Sequence, residues 1–131
     1  MTPSNAIFRH LFGEFSKITG VYDYMSGSEN ESRTYPFVYL TGAINTDSSN
    51  SDLMGNVLIS ANVYGLRTDR NKIDKVETEI YNSTLRNLEA FGYYFKRTSY
   101  DSRLESDNTD VQPLLVSRIT LRFQYTKGAM N

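Results

Sequence analysis

The run from Leu115 to Tyr125 constrains this chain more than any other segment. Leu115, Ser117, Ile119, Leu121, Phe123 and Tyr125 fall on one side of a two-residue alternation, against Val116, Arg118, Thr120, Arg122 and Gln124 on the other. Successive side chains of a strand point to opposite faces, so a period of two held this long specifies a β-strand with one covered face. The chain must therefore build a sheet and supply something to lie over its apolar side.

Two segments have the right period to do so. Ile7, Phe8, Leu11, Phe12, Phe15 and Ile18 form a stripe at helical spacing, with Arg9, Glu14 and Lys17 away from it. Such a stripe predicts an amphipathic helix. Thr2 or Ser4 can cap it, Pro3 suits its first turn and Gly20 is a natural stop. A second helix is predicted between Arg70 and Ala90, where Ile73, Val76, Ile80, Tyr81, Leu85 and Leu88 share a broad face. Thr68 or Asp69 can cap its start, and Gly92 offers the left-handed conformation that ends a helix. Phe12 and Ile80 are expected deep in the core.

Three further strands are read from pattern. In NVLISANVYG, Val57, Ile59, Ala61 and Val63 alternate with Leu58, Ser60, Asn62 and Tyr64. YPFVYL (residues 35–40) reads as a strand with Pro36 near its start, where a missing ladder donor does least harm. GYYFKRTSYD is the third, and a short extra strand near Val21 is an option. The expected architecture is one α+β domain over residues 1–131, a two-layer sandwich in the order α-β-β-α-β-β. Its sheet would be mostly antiparallel, with both helices packed on one face and the other face partly polar. Residues 41–55 and 101–113, rich in Ser, Asn and Asp, are expected to be long polar loops, the kind of segment that often carries function. Leu53, Met54, Leu104 and Val111 are apolar residues within those loops. They are the candidates to fill a neighbouring subunit's pocket.

Several chemistries lack their raw materials. The chain has no Cys and one His, His10, so thiolate metal sites and a Ser-His-Asp or Cys-His arrangement have no support. No metal, cofactor or catalytic residue is expected, and the protein is not read as an enzyme. Asp101, Glu105, Asp107 and Asp110 cluster but lack the order of a calcium loop. Neither a P-loop nor a G-x-G-x-x-G motif is present. Fourteen basic and fifteen acidic residues leave a net charge of −1, which gives no footprint for binding phosphates or an anionic membrane surface. FGYYFKR (residues 91–97) is aromatic and basic, but it lacks the pattern of RNA-stacking strands. The N-terminal MTPSNAIFRHLFGEF has neither the basic start nor the small-residue cleavage site of a signal peptide. Aromatics make up 13%, as ten Tyr and seven Phe. Tyr suits surfaces that become buried only on assembly.

The layout resembles a known family. An N-terminal helix, a Tyr-Pro-apolar strand (Tyr35, Pro36, Phe37, Val38, Tyr39), an alternating strand, a long helix and closing strands ending in RITLRFQYT resemble the tail terminator and tail completion proteins of long-tailed bacteriophages, the minor tail or head–tail joining class. The resemblance implies a structural virion protein that forms a ring, usually a hexamer, capping the tail tube. Such a ring ends tube polymerisation and offers a surface to the head–tail connector proteins. Its partners would be copies of itself, the tail tube protein and the connector, with DNA passing through the channel without specific binding and no membrane involved. Its place would be the neck end of the virion tail, after assembly in the host cytoplasm. A small ligand- or single-strand nucleic-acid-binding α+β domain of cellular origin is the alternative reading.

Overall fold

The computed structural model describes residues 1–23, 34–42, 44–46, 54–108 and 113–128. Helix α1 spans Pro3–Ser16, and the Thr2 hydroxyl caps it by accepting from the Asn5 amide at 3.2 Å. Four strands follow: β1 (Gly20–Asp23), β2 (Phe37–Leu40), β3 (Ile44–Thr46) and β4 (Met54–Leu66). A single 3-10 turn at Arg67–Asp69 leads into helix α2, Arg70–Ser83. The chain closes with β5 (Leu88–Ala90), β6 (Tyr93–Asp107) and β7 (Leu114–Lys127).

This arrangement overturns the expected α-β-β-α-β-β sandwich. The protein is mostly β, built on one seven-stranded mixed sheet ordered β1-β2-β4-β7-β6-β5, with β3 also paired to β4. The element order is α-β-β-β-β-α-β-β-β, and β1 runs parallel to β2 while the other pairs are antiparallel. The added strands are three or four residues long, too short to carry a periodic signal of their own. β3 and β5 form on the ladders of the longer β4 and β6, and β1, near the Val21 position read as an optional strand, pairs with the equally short β2.

The two long expected loops are also revised. Residues 101–107 continue β6, paired with β7 as far as Asp107 opposite Leu114. A polar run becomes a strand here because β7 satisfies its backbone groups, and an edge strand needs no apolar face. Residues 44–46 form β3, and Met54 and Gly55 begin β4.

Helix α2 stops at Ser83, well short of Ala90. Ser83 and Thr84 both turn their hydroxyls back onto the Ile80 carbonyl, at 3.0 and 2.9 Å, which competes with further helical bonding. Gly92 does not end the helix. With Phe91 (φ 53°) and its own φ of 85°, it makes the two-residue turn of the β5–β6 hairpin. Paired positive φ values match the twist of the strands they join.

The core lies between the sheet and the helices. Ala6, Ile7, Leu11 and Phe15 of α1 and Ile73, Val76 and Ile80 of α2 meet Val57, Ile59, Ala61 and Val63 of β4 and Ile119, Leu121, Phe123 and Tyr125 of β7. Ile80 is fully buried, whereas Phe12 is only partly buried, and Phe15 takes the deep position instead. The apolar stripe of α1 is wider than the arc that faces the sheet, so Phe8 and Phe12 end on its flank, their rings 6.0 Å apart. Gly65 is small for a reason, since a Cβ there would meet Ile73 Cδ1 at 2.8 Å. The opposite, open face carries its own small aromatic patch, where Phe37 stacks on Tyr64 at 5.4 Å.

Candidate assembly edge

Strand β6 is the longest in the sheet, and among the described residues its outer side is largely uncovered. Strand β5 pairs only with Tyr93–Phe95, and no described strand pairs with the outer side of β6 beyond that point. From Thr98 to Ser106 nearly every side chain is exposed; Tyr100 and Glu105 alone are half-buried. An uncovered edge presents amide and carbonyl groups that can extend the sheet into another chain.

One end of this edge is pinned to α2. Arg97 pairs with Phe123 and so projects to the helix face, and a β-bulge directly after it, between Arg97 and Ser99, shifts the register against β7. Its guanidinium lies 4.2 Å from the Tyr81 ring centre and 5.0 Å from that of Tyr100. The same group donates to the Tyr81 carbonyl at 3.0 Å and to Thr84 Oγ1 at 2.9 Å. Two backbone or hydroxyl acceptors and two ring faces thus hold one cation over the C-terminal end of α2, where the helix dipole also favours it.

Behind Arg97 sits a polar set on the core side. The Glu77 carboxylate accepts a hydrogen bond from Ser117 Oγ. The Tyr100 hydroxyl is buried, with no partner in hydrogen-bonding geometry among the described residues, and Glu77 is close enough to act on it electrostatically. Burial first, and the Glu77 charge second, push the Tyr100 hydroxyl well above the usual tyrosine range.

The middle of the edge carries an ionic row on the open face. Glu105 lies between Arg103 Nε at 2.6 Å and Arg118 Nε at 3.2 Å. The hydrogen bond from Arg118, reinforced by Arg103, holds the Glu105 carboxyl below its ordinary range, and Glu105 in turn raises Arg118. Opposing register places Asp101 across from Thr120 and Arg103 across from Arg118. These residues, with Thr41, Ser60 and Asn62, border a hollow of about 470 Å³ on the open face.

Leu104 and Met54 are both exposed, each at 40%. They are not neighbours. Met54 lies in register with Thr126 and Tyr94, and Leu104 with Ser117 and Val63, about 30 Å further along the strands at roughly 3.3 Å per residue. Leu104 points to the helix face, beside Arg70, Asn71 and Asp74 of α2. Leu53 and Val111 lie outside the described residues, as does Asp110. Of the acidic cluster, Asp101, Glu105 and Asp107 lie on β6 rather than in a loop, and Glu105 is already paired. In FGYYFKR, Phe95 is buried in the core and Arg97 is held over Tyr81, so Phe91, Tyr94 and Lys96 are the residues left exposed. His10 lines a groove between the helices with Glu14, Lys17, Glu79 and Arg86.

The edge itself was not legible as a site. Alternation between Asp101 and Glu105 of acidic and basic residues with Ser and Leu was the available signal, and it reads equally well as a solvated loop. No protein-family model matches this chain, and no curated protein does.

Proposed function

We propose that this protein works by assembling with other protein subunits through the outer edge of β6. The observation that carries the reading is that uncovered edge over residues 98–106, with exposed Leu104 in its middle. A monomer gains nothing from a long open ladder with an apolar side chain beside it, whereas a neighbour's strand satisfies both at once.

The finer form of the proposal follows the resemblance in layout: a structural virion protein whose ring caps a phage tail tube and offers the surface for head–tail joining. The seven-stranded sheet has β1 at one border, and at the other the short β5 followed by the stretch of β6 that β5 leaves unpaired. A contact between opposite borders of successive copies is head-to-tail, and such contacts close into rings when the rotation per step divides a full turn. The ring would form on the tube end, hexameric if it follows the family. The test is to polymerise the tail tube protein of the same virus with and without this chain. Shorter tubes with end-on rings are expected with the wild type and not with Leu104→Asp. Tubes of unchanged length and bare ends would sink the tail-capping form of the reading.

The alternative, a ligand- or single-strand nucleic-acid-binding domain, draws on the open-face hollow with Arg103 and Arg118 on its border. Both cations are already engaged by Glu105, which weakens their draw on an anion. Filter binding at low salt separates the readings, because retention of an oligonucleotide would favour the alternative.

A further inference from the structure

We infer that in solution two copies of this chain pair antiparallel through their β6 edges, with Ser102 on a two-fold axis. The argument begins with the liability of the edge. An open ladder of this length recruits other strands unless charge, a bulge or a partner blocks it. The bulge at Arg97/Ser99 limits one end, and beyond it the strand stays regular to Asp107.

The order of side chains along that regular stretch is self-complementary. In an antiparallel pair, directly opposed residues project to the same face and interact across the ladder. With Ser102 opposite its own copy, Asp101 of each chain faces Arg103 of the other. Tyr100 faces Leu104, and Ser99 faces Glu105. Asp101 and Arg103 both belong to the open face, while Tyr100 and Leu104 both belong to the helix face, as their register with Thr120, Arg118, Leu121 and Ser117 requires. Two ion pairs therefore form on one side and two apolar contacts on the other. Leu104 gains the cover it lacks in the single chain.

Neighbouring registers are penalised. Sliding by two residues one way sets Arg103 against Arg103 and Asp101 against Glu105. Sliding the other way sets Asp101 against Asp101. Like charges directly opposed destabilise a ladder, so one register is selected by charge alone. Arg103 is paired with Glu105 through Nε, but its side chain is 76% exposed, so the Asp101 carboxylate of a second copy, delivered to it by the strand register, can share its guanidinium. Glu105 keeps Arg118 in either state.

The contact is isologous, the same patch on both copies. It does not rest on the tail-capping reading. A pair and a ring that both use β6 exclude one another, so the pair is the form of the free subunit and must open before a ring contact is made.

Light scattering of the purified chain tests this. The wild type is expected at twice the mass of the 15.0 kDa chain. Asp101→Arg and Arg103→Asp are each expected as folded monomers, because each places like charges across the axis. Mixed in equal amounts, they are expected to restore the double mass, since one copy then carries two cations where the other carries two anions. All three positions probed, with Leu104→Asp as a further monomeric variant, are exposed, and circular dichroism verifies that each variant folds. A wild type that is monomeric or forms only a larger closed species would overturn the inference. So would single variants that still pair, or folded single variants whose mixture stays monomeric. The tube-length assay can fail while every one of these results holds.

Discussion

Arg97 and Tyr81 are joined twice: the guanidinium lies 4.2 Å from the ring centre and also donates to the Tyr81 main-chain carbonyl at 3.0 Å. One residue of the edge strand thereby closes the end of α2 and fixes the face that α2 turns toward the sheet. Arg97 keeps its place opposite Phe123 on the helix-covered face, and that pairing aims its side chain at α2. A planar cation is needed, because stacking on two rings while donating sideways is a geometry an ammonium cannot copy.

Arg97→Ala is accordingly expected to destabilise the protein by about 1–3 kcal/mol, from the lost charged hydrogen bonds and ring contacts. Arg97→Lys should recover less than half of that loss. Urea denaturation monitored by circular dichroism measures both. A loss under about 0.5 kcal/mol for the Ala variant, the scale of an ordinary surface change, would show that the clamp is not structural.

Tyr100 yields a prediction with a sign. Its folded-state value is raised because burial disfavours the ionised form, so stability is unaffected by this group below the unfolded value and falls as pH climbs toward the folded one. The loss begins where an unfolded tyrosine ionises, at about pH 10. Tyr100→Phe removes both that alkaline loss and an unpartnered buried hydroxyl. The variant should be at least as stable as the wild type at neutral pH, and its advantage should widen on the alkaline side. Thermal melts from neutral to strongly alkaline buffer measure this, and an advantage that shrinks with rising pH would contradict it.

The first helix offers a contrast within one side-chain type. Phe15 is fully buried and Phe12 only partly so. Phe15→Ala is expected to cost about 3–5 kcal/mol, the range for emptying a packed aromatic site. Phe12→Ala should cost clearly less, because its flank position leaves no enclosed cavity. Equal losses in paired denaturation curves would mean that α1 is rotated from the orientation described.

How much of this was readable beforehand depended on length and period. In β4, Val57, Ile59, Ala61 and Val63 alternate strictly, and their burial follows from the alternation alone. From Ser117 to Tyr125 the same holds for β7, and Ile73, Val76 and Ile80 mark the buried side of α2. In each case a local period decides which atoms leave water, and the hydrophobic gain is large enough to outweigh local alternatives. The registers at Leu114 and Val116 were harder. Both are buried although their alternation assigns them to the open face, beside Tyr64 and Leu66.

What the tertiary structure alone decided was everything carried by the backbone rather than by side-chain partition. Strands β3 and β5 exist because the longer β4 and β6 lend them a ladder, a contribution that no window of three residues can encode. The stretch Asp101–Asp107 is polar enough to be a loop, and only β7 lying alongside makes it a strand and its far side an edge. Apolar period tells a chain which face to hide, and it does so locally. Hydrogen-bonded pairing between distant segments tells it where the sheet ends, and that is where the proposed contacts of this protein lie.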